Sequence, residues 1–336
     1  MQDVYHRALR DLRISVIDRC NFRCTYCMPL DEYPWTPMDQ ILTFDEIERL
    51  ARTFVRLGVD KIRLTGGEPL LRAGLEDLIG RLARIDGLRE LCLTTNGSLL
   101  ADKVHVLKEA GLKRVNVSID TLDPEKFARI RRRGDLTKVL EGLFAAQEAG
   151  LGPIKVNTVV ERGVNEEDIV PLVEFAREHG FEARFIEFMD VGNANSWRSE
   201  KVVPKREILE RIAARFPLRE VGREAGTAPA VDYEFLDGFG FVGVIASVTE
   251  PFCGTCTRAR LTADGKLVTC LFSDIGRDLK GPLRTGASDE ELTQLVGGIW
   301  RGRTDRYSEE RQQALANGNG YEAREHRKIE MITLGG

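Results

Sequence analysis

The chain has 336 residues, 42% of them hydrophobic, enough to bury one large core with an added subdomain or to form two domains. Its 49 lysines and arginines against 53 aspartates and glutamates leave a net charge of −4, which disfavours non-specific attachment to nucleic acid or to an anionic membrane. The opening MQDVYHRALRDLR lacks an apolar secretion signal, no stretch approaches the roughly 18 apolar residues of a membrane span, and seven cysteines make no disulfide scaffold, so a cytoplasmic protein is expected.

The first element is a strand, LRISVID from Leu12, and a cysteine-rich loop, CNFRCTYC, follows it at residues 20–27. A helix then begins at Thr43, where Glu46 three residues on makes a capping-box pattern; Ile47, Leu50, Ala51, Phe54 and Leu57 share one face, and Gly58 stops it. Five more β-rich runs alternate with helical stretches: KIRLTGG from Lys61, ELCLTTNG from Glu90, RVNVSID from Arg114, IKVNTVV from Ile154 and EARFIEFMD from Glu182. Two of the intervening helices are expected at residues 101–110 and 166–179. Six βα units predict an α/β fold with a parallel sheet and right-handed crossovers, doubly wound or curled into part of a barrel. Polar residues gather at the carboxyl ends of the strands, the end at which such sheets place ligands: Thr65-Gly66-Gly67-Glu68, Thr94-Thr95-Asn96, Ser118-Ile119-Asp120 and Met189-Asp190.

After a helix at residues 205–216 the pattern changes. VDYEFL, GFVGVIASV and ARLTADGKLVTCLF read as strands, the last a hairpin turning at Asp264-Gly265. A helical SDEELTQLVGGIW follows, then an arginine- and glutamate-rich stretch, NGNG, and a tail ending ITLGG. The expected division is residues 1–220 and a smaller C-terminal β-containing layer at 221–336.

The cysteines sort into groups. Cys20, Cys24 and Cys27 are spaced C-x3-C-x2-C; Cys253, Cys256 and Cys270 are spaced C-x2-C-x13-C; Cys92 stands alone in an apolar run and reads as a core residue. Three thiols suit neither a disulfide nor a four-ligand zinc site, whereas a four-iron cube held by three thiolates keeps one iron open to react. Zinc sites remain the alternative for both triplets, and two of them would make a metal-binding module rather than an enzyme. Arg258 and Arg260 alternate in a strand after Cys256, so both can enter one cavity beside the metal, unless they form a solvated face.

The first triplet after strand one, Tyr26 before its last cysteine and GGEP at the end of strand two resemble the radical S-adenosylmethionine superfamily. Taken with LRISVIDRCNFRC, IRLTGGEPLLR, CTRARLTADGKLVTCLF and the terminal Gly335-Gly336, the whole chain resembles the GTP 3′,8-cyclase family, which carries out the first step of molybdenum cofactor biosynthesis. That resemblance implies an incomplete (βα)6 barrel and two 4Fe-4S clusters, one cleaving S-adenosylmethionine and the other binding the guanine of GTP. A 5′-deoxyadenosyl radical would then take hydrogen from C3′, and the carbon radical would close on C8.

By the same resemblance Cys20, Cys24 and Cys27 hold the first cluster and Cys253, Cys256 and Cys270 the second. Tyr26, Gly67, Glu68, Ser118 and Met189 contact S-adenosylmethionine; Arg13, Lys61, Arg63, Thr94, Lys155, Arg184, Arg258 and Arg260 contact GTP; Gly335 and Gly336 reach the active site. Arg13, Arg63, Lys155 and Arg184 lie on four strands, where charge is unusual unless it faces a lumen or solvent, and a triphosphate explains them together. The expected partners are GTP, an electron donor and a downstream pyranopterin-forming enzyme, with no nucleic acid or membrane; a homodimer is one assembly this allows. Another radical S-adenosylmethionine enzyme with an auxiliary cluster, acting on peptide or RNA, is the rival within enzymes.

Overall fold

The computed structural model describes residues 1–317, 321 and 328–335; Gly336 lies outside the described residues. Six parallel strands come first: β1 (Asp11–Ser15), β2 (Lys61–Thr65), β3 (Glu90–Thr95), β4 (Arg114–Ser118), β5 (Lys155–Val160) and β6 (Glu182–Glu187). They are linked through α1 (Phe44–Arg56), α2 (Leu75–Ala83), α3 (Val104–Glu109), α4 (Pro124–Arg131), α5 (Leu136–Glu148) and α6 (Ile169–His179), and α7 (Lys205–Ala213) follows β6. Each strand puts alternate residues on opposite faces. Leu12, Ile14, Ile62, Leu64, Leu91 and Leu93 are buried in the main apolar core, whereas Arg13 and Arg63 alternate with them and line cavities.

Local chemistry explains the starts and stops. Thr43 Oγ1 accepts from the Glu46 amide at 3.2 Å and Glu46 returns the bond to the Thr43 amide at 2.8 Å, so α1 begins with both capping partners in place. The helix expected from residue 166 opens instead as one 3-10 turn, Glu166–Asp168, with α6 starting at Ile169 and Pro171 in its first turn, where a missing amide costs nothing.

The C-terminal strands are β7 (Leu218–Gly222), β8 (Val231–Phe235), β9 (Phe241–Ile245), β10 (Arg258–Leu261), β11 (Lys266–Val268) and β12 (Arg277–Asp278). They extend the sheet at both edges, giving the order β12-β11-β10-β1-β2-β3-β4-β5-β6-β9-β8-β7. β10 runs parallel to β1 and β9 parallel to β6. The hairpin turns at Gly265 with φ of +83°, as Asp264-Gly265 requires. β7, whose LREVG has no apolar alternation, is held at the far edge only by β8. Residues from β1, β5, β6, β9 and β10 line a single cavity, so the sheet curls around it into a partial barrel. Among the described residues four helices follow: α8 (Lys280–Arg284), α9 (Asp289–Arg301), α10 (Tyr307–Ala316) and α11 (Met331–Leu334). Among the described residues no helix is long and apolar enough to cross a membrane.

Candidate active site

Both cysteine triplets open onto that cavity, although more than two hundred positions of sequence separate them. The loop after β1 is braced by the turn after β2. The Gly67 amide donates to the Ile17 carbonyl at 2.7 Å, the Glu68 amide donates to the Arg19 carbonyl at 2.8 Å, and a Cβ on Gly67 would stand 2.2 Å from that Arg19 oxygen. Glycine at 67 is thus set by close backbone approach. Cys20, Cys24 and Cys27 follow at once; burial pushes the Cys20 thiol up to about 12 and raises Cys24 and Cys27 too.

Glu68, expected to receive the ammonium of a ligand, is largely committed elsewhere. Its carboxylate is buried and accepts from the Leu70 amide at 3.0 Å, Thr95 Oγ1 at 2.7 Å and the Asn96 amide at 2.7 Å. It ties the turn after β2 to the turn after β3, and burial outweighs these donors to push its pKa up to about 7. Glu68→Gln is expected to destabilise the fold by about 1–3 kcal/mol, because the amide NH2 would face a donor in place of an acceptor. Urea unfolding of the two proteins measures this; equal midpoints would show that the carboxylate is not the tie. Tyr26 is likewise committed at its hydroxyl, which donates to Asp120 Oδ2 at 3.0 Å. Ser118 and Met189 line the cavity.

The second triplet flanks the β10–β11 hairpin next to β1: Cys253 lies in a 3-10 turn, Cys256 ends it, and Cys270 follows β11. Burial alone would raise the Cys256 thiol, but Arg258 and Arg303 outweigh it and hold it down to about 6; burial pushes Cys270 up to about 12. All six triplet cysteines are free thiols. Among the described residues no three cysteine, histidine or carboxylate side chains converge tightly enough to hold one metal ion. The donor set of each triplet is three sulfurs facing a shared cavity, which fits a polynuclear iron–sulfur group better than a tetrahedral zinc ion, for which a fourth ligand is needed.

A row of arginines crosses the neighbouring strands. Parallel pairing sets Arg13 beside Arg63 on β2 and beside Arg260 on β10, so three guanidinium stems on adjacent strands share one face, with Arg258 next to them. Arg63, Arg258 and Arg260 are buried and Arg13 is half-buried. Among the described residues none of them forms an ion pair, and Arg13 Nε, Arg63 Nε, Arg258 Nη1 and Arg260 Nε have no hydrogen-bond partner. Burial and mutual repulsion push Arg13 down to about 9 and Arg260 down to about 10. Unpaired buried donors of this kind carry a large cost unless an anion meets them. Arg63 Nη1 does donate to Thr94 Oγ1 at 3.2 Å, fixing Thr94 in the row. Cys92, expected in the core, is fully buried but lies in register with Arg63 on the lumen side, its thiol 3.6 Å from the Ile62 carbonyl.

The other expected cations carry acidic partners, and Lys61 and Arg184 line a second, lower cavity toward the amino ends of the strands. Lys61 Nζ is 2.9 Å from Glu90, Lys155 Nζ is 2.9 Å from Glu182, and Arg184 Nη2 is 3.4 Å from Asp232. Arg13 and Thr94 line both the upper cavity and this lower one, joining them. Arg114, which opens β4 and pairs with Glu90, lines the lower cavity too; at the first position of a strand it carried no signal that set it apart from a surface residue.

The tail also arrives here. Gly335, with φ of +72°, packs against Thr65 and the Gly66 amide at the carboxyl end of β2. It is held there from a distance: Lys328 Nζ donates to the Asp190 carbonyl and carboxylate, both at 2.8 Å, and Asn193 exchanges bonds with the Lys328 main chain at 2.6 and 3.0 Å. Burial alone would raise the Asp190 carboxyl, yet Arg311 and Lys328 hold it down to about 2. Sequence reasoning placed Asp190 at the strand end but had no means of pairing it with residues beyond 300.

Comparison with known proteins gives a consistent result. Residues 14–176 match the family model of the Radical SAM superfamily, and residues 181–309 match the one described as Molybdenum Cofactor Synthesis C. Over its full length the chain is 48% identical to the GTP 3′,8-cyclase of Xanthomonas campestris pv. campestris (strain B100), covering 97% of that relative. It is 47% identical to that of Acidothermus cellulolyticus and 44% to that of Staphylococcus haemolyticus, covering 99% of each. Its fold is shared with S-adenosylmethionine-bound SuiB of Streptococcus suis at a TM-score of 0.59 and 17% identity, over 98% of this chain and 78% of that one. With both cysteine triplets and three arginines lining one cavity and full-length relatives of one kind, the chain belongs to the GTP 3′,8-cyclase family of the radical S-adenosylmethionine superfamily.

Proposed function

We propose that this protein converts GTP to 3′,8-cyclo-7,8-dihydro-GTP, the first step of molybdenum cofactor biosynthesis. The observation that carries the reading is that Arg13, Arg258 and Arg260 line the cavity onto which both cysteine triplets open, with Arg63 beside Arg13 in the adjoining cavity, and that none of the four forms an ion pair among the described residues. Guanidiniums bind phosphate oxygens in forks, and a polyphosphate with a base attached spans such a row better than a peptide does. The family resemblance supports S-adenosylmethionine and an iron–sulfur cluster at Cys20, Cys24 and Cys27; we assign a second cluster to Cys253, Cys256 and Cys270.

When bound, the first cluster and S-adenosylmethionine supply an electron and a 5′-deoxyadenosyl radical that removes hydrogen from C3′. The chain's own part is to bind, orient and exclude. Gly66 and Gly67 let the backbone come close to the cofactor, beside Ser118 and Met189. Arg258 and Arg260 hold the nucleotide against the second triplet, while Arg13, Arg63 and Thr94 grip the phosphates nearest the lumen centre. Lys61, Lys155 and Arg184 exchange part of their carboxylate pairing for the far phosphates. Gly335 closes the cavity beside β2. An external donor supplies two electrons one at a time, the first for cleavage of S-adenosylmethionine and the second, with a proton, for the nucleotide radical once C3′ has closed on C8, and a pyranopterin-forming enzyme consumes the product in the cytoplasm.

Anaerobically reconstituted protein given GTP, S-adenosylmethionine and dithionite is expected to yield methionine, 5′-deoxyadenosine and a nucleotide isomeric with GTP, separated by chromatography and identified by mass spectrometry. Deoxyadenosine released with GTP unconsumed would favour a peptide or RNA substrate.

A further inference from the structure

Two arginines outside the expected site make matching contacts with the two triplets. Arg131, the last residue of α4, is 3% exposed; its Nη1 donates to Cys24 Sγ at 3.0 Å, and its Nη2 donates to the Ser118 carbonyl at 3.1 Å and lies 2.9 Å from Asp120 Oδ2. Arg303, just beyond α9, is 4% exposed; its Nη2 donates to Cys256 Sγ at 3.2 Å, its Nη1 to the Cys256 carbonyl at 2.9 Å and its Nε to Asp305 Oδ2 at 3.2 Å. Each guanidinium therefore meets the middle thiol of one triplet, a main-chain carbonyl and an aspartate. Each also lies against an aromatic ring, Tyr26 at 5.6 Å and Trp300 at 4.7 Å. The two segments have no sequence in common, so what they share is the contact with sulfur.

We propose that Arg131 and Arg303 are positioning residues that set the reduction potential of the iron–sulfur cluster at each triplet, by donating an N–H to the sulfur of its middle cysteine. The proposal rests on the reading that both triplets hold clusters. Reduction by one electron adds negative charge to a cluster and its thiolates. A charge-assisted hydrogen bond to a ligand sulfur stabilises that reduced form, and hydrogen bonds to the sulfurs are among the factors that fix cluster potentials. The aspartate and the carbonyl aim the fork, so the N–H does not have to be reorganised when the electron arrives. In the first site this places Arg131 between Cys24 and Ser118, on the wall where the cofactor is expected.

The test is a redox titration of the full chain, followed by electron paramagnetic resonance after anaerobic reconstitution, with iron and sulfide measured in each sample. Wild type, R131K, R131M and R303M are compared. At the potential where the wild-type first cluster is half reduced, R131M is expected to show about a tenfold smaller ratio of reduced to oxidised cluster, equivalent to a midpoint lower by about 59 mV for one electron. R131K, which keeps the charge but not the fork, should fall between the two, and R303M should shift only the second signal. An unchanged midpoint in either Arg131 variant with wild-type iron content overturns the proposal. So does loss of iron from both Arg131 variants, which would make the residue part of the fold. Absence of sulfide in the wild type would instead defeat the cluster reading itself.

Discussion

Cys24→Ala is expected to abolish reductive cleavage of S-adenosylmethionine while the chain stays folded. Cys24 sits buried in the loop after β1, and its sulfur accepts from Arg131 Nη1. Removing it leaves two thiolates, which do not hold a four-iron cube with a defined open iron, and strands a guanidinium N–H without its acceptor. Loss of a supporting partner around a metal ligand typically costs 10–100-fold in affinity, so loss of the ligand itself should cost on the order of a hundredfold or more. Quantifying 5′-deoxyadenosine at equal protein concentration, with iron measured in parallel, reads both effects. Cleavage at the wild-type rate would remove the triplet from its assigned role. Cys256→Ala is the control: it belongs to the other triplet, so cleavage should persist uncoupled from cyclisation.

Gly335→Ala should be almost as damaging to product formation, by a different route. A Cβ at 335 would lie 2.4 Å from Thr65 Cγ2 and 3.2 Å from the Gly66 amide, at a backbone φ of +72° that side-chain-bearing residues resist. Strain of that kind costs about 1–3 kcal/mol, and the tail can escape it only by withdrawing from the end of β2. Because Lys328 and Asn193 anchor the tail several residues earlier, the fold and both triplets should be untouched. Cleavage of S-adenosylmethionine is expected to continue while the GTP-derived product falls at least about tenfold, a loss of roughly 1.4 kcal/mol in transition-state stabilisation. Undiminished product at equal iron content would make the glycine a mere chain end.

Much of this was legible in the sequence because it depends on near neighbours. The capping box at Thr43 and Glu46, the six βα alternations and the spacing within each cysteine triplet are local patterns, and each reappears in the structure. What stayed hidden depends on distant pairing. Nothing in VDYEFL or CTRARL says that one strand group joins β6 and the other β1, because parallel registers are chosen by packing across the whole chain. Arg131 sits in RIRRRGD, a run that reads as a solvated helix end, yet its neighbours Arg132 and Arg133 are exposed while it is buried on a thiol. Glu68 was visible as a residue of the GGE turn, but its three donors come from turns on two strands.

The attachment of the last strands to both edges has a consequence for how the chain is made. β1 emerges from the ribosome first, but the strand that covers its outer edge begins only at Arg258. At about 5–20 residues per second, its edge amides and carbonyls wait roughly 10–50 s for their partner. The open edge of β6 likewise waits for Phe241 and the residues after it. Unpaired edges of a parallel sheet are templates for aggregation. The nascent chain therefore carries its first three thiols beside an unpaired edge until β10 has been made. A fragment ending after α6 is therefore expected to collect in inclusion bodies rather than mature as a smaller enzyme.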